Sequence, residues 1–171
     1  DILDYGGMDA VLQFVERVES PSKVGHTLGS MGESEIDSAI LPRLLETDDK
    51  HLVKFVSGYV WSRHRSQGWA WVDDLGVTRW THAQIGQFLS YLPFTEETWK
   101  RANVILGESE AEYWSRTNVN PYESDHNLEV AVEKLIEYGR PKAAITCLHK
   151  ILHDKQLLDK KLTIKALLDA I

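Results

Sequence analysis

Cysteine is almost absent: Cys147 is the only one in 171 residues. One thiol closes no internal disulfide, so nothing in the chain asks for an oxidising compartment. No apolar run approaches the ~18–20 residues that span a bilayer, and no signal-peptide pattern opens the chain. Positive charge is in short supply. Nineteen Lys and Arg face 26 Asp and Glu, a net charge of −7, and no basic step is longer than that at Lys160-Lys161. Such a chain repels phosphate backbones, which excludes nucleic acid as the expected partner. Alternating β-branched runs and hairpin dipeptides such as Asn-Gly are missing, so strands are not expected. The nucleophile-elbow, phosphate-loop and dinucleotide fingerprints are missing too. The glycines Gly6-Gly7 and those from Gly25 to Gly32 have no following lysine of the kind a phosphate loop needs.

What is present is a regular set of helix signals. An apolar content of 43% with 26% charged residues is that of a folded globular chain. Val11, Leu12, Val15 and Val18 share one face of a helix from Met8 to Val18. Pro21 opens a second helix, proline being suited to the first turn. Ser34 opens a third, which Pro42 should kink or split. Asp48 or Asp49 caps a fourth that runs to about Arg65. Thr81, with Gln84 three residues on, reads as a capping box, as does Ser109 with Glu112. Thr95 caps a helix that Gly107 stops. Asn127 caps Leu128 to Tyr138, Gly139 stops it, Pro141 begins the next helix, and Asp159 caps the last. Most successive starts lie 13 or 14 residues apart, as from Met8 to Pro21 to Ser34 to Asp48. Short helices at such a pitch, joined by tight turns, run antiparallel to their neighbours.

An internal repeat points the same way. With Pro21 laid on Pro141, Leu12 meets Val132, Val15 meets Leu135, Val24 meets Ala144 and Leu28 meets Leu148. In the helix from Asp49, Leu52, Phe55, Val56, Tyr59 and Val60 form one face while Trp61 points about 160° away, the pattern of a helix covered on two sides. The segment Leu128 to Leu152, with its Tyr138-Gly139-Arg140-Pro141 turn followed by Ala143-Ala144, resembles the α-helical repeat superfamily of HEAT, armadillo and tetratricopeptide-like arrays; Met8 to Leu28 resembles it more loosely. The resemblance covers about a third of the chain. It implies an all-α fold, an α-solenoid of short antiparallel helix pairs in a right-handed superhelix, serving as a binding scaffold. The expected layout is one domain over 1–171 with a possible subdivision near 66–80. Asp1 at the start and the helical pattern still running through Ala166 to Ile171 suggest a piece of a longer chain.

Four tryptophans, Trp61, Trp69, Trp71 and Trp80, crowd into 20 residues. Packing at a seam between helix stacks is the preferred reading, because tryptophan is mostly buried; exposed, they become the leading face for a peptide or protein partner. The polar loop from Thr117 to Asn127, with Asn120 and Tyr122 as its candidate contacts, is either a binding loop or a plain connector. His149 and His153 are four apart on one helix, a spacing that can share a metal, but Cys147 lies roughly 120–160° round the helix from both. Two ligands make no site, and Cys147 reads as an inert buried thiol. Carboxylate pairs such as Glu96-Glu97 and Glu108 with Glu110 sit at helix N-termini, where the macrodipole favours them without catalysis.

The sequence therefore predicts a cytoplasmic, non-catalytic scaffold for a protein or peptide partner, with no cofactor, no metal, no nucleic acid and no membrane. The alternative is an accessory or regulatory helical region of an enzyme whose catalytic domain lies elsewhere. A stand-alone metal hydrolase ranks third.

Overall fold

The computed structural model describes residues 2–124 and 126–171, and among the described residues all regular structure is helical. Among the described residues no helix is long and apolar enough to cross a membrane. The chain forms two compact units, Asp1–Gln84 and Ile85–Ile171. The division falls just beyond the stretch 66–80 where the sequence suggested one.

The first unit holds α1 (Ile2–Val15), α2 (Pro21–Met31), α3 (Ser34–Ile40) and α4 (Lys50–Asp74). Helix α1 starts earlier than expected and is broken at Gly7, whose φ of 60° no other residue adopts easily. Helix α3 stops at Ile40, two residues short of Pro42, because the residue before a proline is pushed out of the helical region. Asp49 caps α4: its carboxylate accepts the N–H groups of His51 at 2.8 Å and Leu52 at 3.0 Å. The helix does not end near Arg65. It continues to Asp74 across Gly68, which sits at φ 63°, ψ −152°, a conformation reserved for glycine.

Helices α2 and α4 cross at very short range, and glycine is the reason. A Cβ on Gly25 would lie 1.9 Å from the Phe55 carbonyl oxygen, one on Gly29 would lie 2.5 Å from that of Tyr59, and one on Gly58 would lie 2.2 Å from that of Ser22. The two backbones touch where those side chains are missing. This crossing also changes the meaning of the internal repeat. Helix α2 packs chiefly along α4 rather than on α1, whereas in the second unit α9 packs on its sequence neighbour α8. The repeat is therefore one of helix spacing, not of packing partner.

The second unit takes most of α5 (His82–Ser90), then α6 (Glu96–Leu106), the single turn α7 (Ala111–Trp114), α8 (Leu128–Glu137), α9 (Pro141–His153) and α10 (Lys160–Asp169). The capping box before α5 forms in both directions: Thr81 N donates to Gln84 Oε1 at 3.0 Å and Gln84 N donates to Thr81 Oγ1 at 3.1 Å. The helix expected from Ser109 starts two residues later and lasts a single turn. A 3₁₀ turn spans Gly107–Ser109, and α7 begins at Ala111 with no side-chain cap from Glu110, which is buried and turned elsewhere. Helix α8 ends as its sequence predicts. Gly139, at φ 71°, lets its own N–H reach Ile136 O at 3.1 Å and Arg140 N reach Leu135 O at 2.7 Å, and Pro141 then starts α9. The core beneath these helices is aromatic. Phe94, Trp99, Tyr113 and Trp114 are buried, with Phe94–Trp99 edge to face at 4.9 Å and Tyr113–Trp114 at 5.0 Å. Each such pair adds about 0.5–1.5 kcal/mol beyond the area it buries.

Candidate functional site

The tryptophans singled out in the sequence do not form one surface. Trp71 is in the core of the first unit, 4% exposed, and its Nε1 donates to Asp37 Oδ2 at 3.1 Å. As a partner-binding residue it is ruled out by burial. Trp61 is half-buried against the His26 ring at 5.5 Å, with the Arg65 guanidinium 5.1 Å from its centroid. Trp69 is half-buried and meets the His64 ring edge to face at 4.8 Å. Trp80 is half-buried, and its N–H closes the 3₁₀ turn Val77–Arg79 onto Val77 O at 2.9 Å.

Asp37 is the group that sequence reading missed. Its Oδ1 accepts from Tyr59 Oη at 2.6 Å and Arg63 Nε at 2.9 Å, and its Oδ2 accepts from Arg63 Nη2 at 2.5 Å and from Trp71. The donors come from both sides of the Gly68 break, so one carboxylate ties α3 to the two parts of α4. Burial, then the carboxylate beside it, raises the Tyr59 hydroxyl pKa; the Asp37 hydrogen bond raises that of Arg63. With both oxygens carrying two donors, the carboxylate has no lone pair left for a substrate proton or a metal. The arrangement binds α3 and the two parts of α4 together.

The loop after α7 is braced at several points. Asn120 caps the 3₁₀ turn Pro121–Glu123: its Oδ1 accepts Tyr122 N at 3.3 Å and its Nδ2 donates to Glu123 Oε1 at 3.0 Å. Glu123 Oε2 accepts Phe94 N at 2.6 Å, and Arg140 Nη1 donates to the carbonyls of Trp114 and Thr117 at 2.9 and 2.8 Å. Asn120 is thus committed to the loop itself. Tyr122 is 63% exposed, with the Lys150 ammonium 5.4 Å from its ring centroid. Asp125, within the same predicted loop, lies outside the described residues.

On α9, Cys147 is fully buried and burial pushes its thiol up to about 12, whereas His149 and His153 are exposed. Among the described residues no three His, Cys, Asp or Glu side chains are grouped to hold a metal ion.

A concave feature lies elsewhere, between α6 and α8. Its cavity of about 280 Å³ is lined by Glu96, Trp99, Lys100, Asn103, Val104, Glu110, Trp114, Val130 and Lys134. The indoles of Trp99 and Trp114 belong to the aromatic core and make the floor; their ring centroids are 6.1 Å apart. Val104, 80% exposed, and Val130, 45% exposed, form apolar lips. The charged groups are already paired. Glu110, 3% exposed, accepts Asn103 Nδ2 at 2.6 Å and Lys134 Nζ at 2.6 Å, and this contact raises the Lys134 pKa. Glu96 and Lys100 pair across one turn at 2.7 Å, which lowers the Glu96 pKa and raises that of Lys100.

Comparison with protein-family models, curated proteins and solved structures finds no match for this chain.

The concave feature between α6 and α8 is a hydrophobic slot with neutralised walls. Its size sits at the lower edge of small-molecule pockets, about 300–1,000 Å³, and suits an apolar side chain better than a whole metabolite. Helix wheels display the reason the sequence hid it. Val104 and Val130 lie outside the apolar stripes of their helices, and what they share is the concavity that both line. The one available signal was two valines on otherwise charged faces.

Proposed function

We propose that this chain is a non-catalytic helical scaffold, working in the cytoplasm, whose α6/α8 groove accepts an apolar anchor from a protein or peptide partner. The observation that carries the reading is the groove: two exposed valines above two buried indoles, with every charged lining group already in a local pair. Such a slot rewards an apolar side chain and offers no free charge to polarise a bond. The saturated Asp37 carboxylate and the buried Cys147 thiol support the absence of catalysis. A net charge of −7 favours protein over nucleic acid. The α8–α9 pair, closed by its Gly139 turn and followed by α10, is the local arrangement an α-solenoid of antiparallel pairs would repeat.

The test is a selection of short helical peptides by display against the folded protein, read out on ¹⁵N-labelled tryptophan indoles. Binders that carry a large apolar residue should move the Trp99 and Trp114 indole signals and fail to bind Val104→Glu and Val130→Glu proteins. Binders that move Trp61 and Trp69 instead would place the docking face in the first unit and end the groove reading.

A further inference from the structure

Charge in the first unit is unevenly spread. Residues 1–84 carry 13 Asp and Glu against eight Lys and Arg. Yet helix α2 and the stretch Lys50–Val72 of α4 contain no carboxylate side chain. At 100° per residue, Lys50, Lys54, Trp61 and Arg65 fall within about 60° of one another on α4. The three cations are exposed and Trp61 is half-buried, so they make one open stripe about 22 Å long. The neighbouring α2 adds His26, exposed beside the Trp61 ring. Among the described residues no carboxylate lies within ion-pair distance of Lys50, Lys54 or Arg65. The stripe does not serve the helix that carries it. Lys50 stands in the first turn, where the helix dipole disfavours a cation, and Lys54 follows one turn on, where like charges repel.

Arg65 is held ready for an anion. Its guanidinium lies over the Trp61 ring, 5.1 Å from the centroid, and makes no hydrogen bond to the protein. A guanidinium braced by a ring face keeps its N–H groups directed outward in its own plane, the fork that takes a carboxylate through two bonds. The stripe is also short and its surroundings are acidic: Asp48 and Asp49, both exposed, stand directly before Lys50. A phosphate backbone or charged bilayer reaching past the stripe would meet that acidic surface, whereas a short segment would not. A length of about 22 Å fits roughly seven extended residues or four helical turns. We propose that this face of α4 docks a short acidic segment of a partner protein, with its carboxylates on Lys50, Lys54 and Arg65. The surface belongs to the other unit from the α6/α8 groove and does not rest on the reading given to that groove. Charge supplies the attraction here, and apolar burial supplies it there.

Fluorescence anisotropy of an end-labelled peptide of Glu and Ala, about fifteen residues long, titrated with the whole chain at about 50 mM salt, tests this. The peptide should bind, a Lys-and-Ala peptide of the same length should not, and the affinity should fall as salt rises through about 300 mM. Lys54→Glu and Arg65→Glu alter exposed residues, and circular dichroism melts should show that both proteins stay folded. Each should weaken binding at least about tenfold. The Trp61 indole signal of ¹⁵N-labelled protein should move on binding, while Val130→Glu in the groove should leave the affinity unchanged. Absence of binding at low salt overturns the proposal. So does binding that Lys54→Glu and Arg65→Glu leave intact. Single-stranded DNA or phosphatidylserine vesicles that bind through Arg65 more tightly than the peptide would overturn it too, since the stripe would then serve phosphate and not an acidic protein segment. The groove is judged on Trp99 and Trp114, so the two readings fail separately.

Discussion

The two units reach stability by different routes. The first brings α2 and α4 so close that backbone meets backbone, and it fixes the direction of α4 on each side of Gly68 with one buried carboxylate. The second also has a close approach, where a Cβ on Gly86 would lie 2.6 Å from the Glu112 carbonyl oxygen, but it builds its core on Phe94, Trp99, Tyr113 and Trp114 and leaves a slot uncovered. In the first unit each contact needs one residue type and tolerates no enlargement. In the second, bulky rings fill space broadly, and surplus apolar surface remains on exposed faces. Specificity of fold is concentrated in the former, and capacity for an apolar partner in the latter.

The largest effects should come from breaking the first unit. Asp37→Ala strips the counter-charge from Arg63, 2% exposed, and should cost about 3–5 kcal/mol in urea denaturation. Replacing both partners, Asp37→Leu with Arg63→Met, should recover much of that loss, since an apolar pair of similar bulk needs no partner. If the double variant is as unstable as Asp37→Ala, the ion pair is not the source of the loss. Next comes Gly25→Ala. A methyl group 1.9 Å from a carbonyl oxygen forces α2 and α4 apart, at about 3 kcal/mol, and Gly29→Ala should do the same to a lesser degree. No surface alanine in α6 or α8 should approach either figure.

In the second unit the corresponding weak point is smaller. Lys134→Met removes the ammonium donor from Glu110, a buried carboxylate that Asn103 also holds. A loss of about 1–3 kcal/mol is expected, reduced by the partial exposure of the ammonium. Urea midpoints for the Lys134→Met and Asp37→Ala proteins, measured side by side, would show whether the buried pair matters less where aromatic packing dominates.

Helix positions and most ends could be read from the chain because they depend on neighbours within four residues. Pro21, Asp49, the Thr81–Gln84 box, Gly139, Pro141 and Asp159 each act locally, and each marks a helix end in the structure. The Asp37 cluster could not be read that way. Its partners stand 22 to 34 residues off, and a lone aspartate one residue after Ile36 looks like a solvated face. Trp71 was grouped with Trp61 and Trp69 by sequence distance, while the turn at Gly68 and the tie to Asp37 send it inward. The glycines of α2 show no local sign of their use, a close crossing that depends on Gly58 in another helix. The groove was hidden for the same reason, since its lips come from α6 and α8.

Acid titration separates a local cap from these long-range ties. The N–H of Leu52 is the main cause holding the Asp49 carboxyl below its ordinary 3.8. A depressed folded-state pKa means that the stabilisation is complete above the unfolded value and is lost as pH falls through the folded one. Asp49→Ala should therefore lower the Tm at pH 6, and the difference from wild type should narrow as pH falls below 3.8. A gap that persists at pH 2 would show that the carboxylate charge is not what caps α4.

The smallest expected effect compares two helix ends within the second unit. Helices α8 and α9 finish in the same hydrogen-bond pattern: Gly139 N to Ile136 O and Arg140 N to Leu135 O in one, Lys155 N to Leu152 O and Gln156 N to Ile151 O in the other. The left-handed position is glycine at 139, φ 71°, but lysine at 155, φ 58°. A Cβ in that region costs about 1–2 kcal/mol, and glycine gives back part of the gain through its freer unfolded chain. Lys155→Gly should thus stabilise by about 0.5–1 kcal/mol, seen as a rise in Tm, while Gly139→Ala should lower it by a similar amount. Equal and opposite shifts would mean that backbone strain governs both ends. If Lys155→Gly gives no gain, the lysine stem is making a contact worth as much as the strain, and the two ends are alike only in their hydrogen bonds.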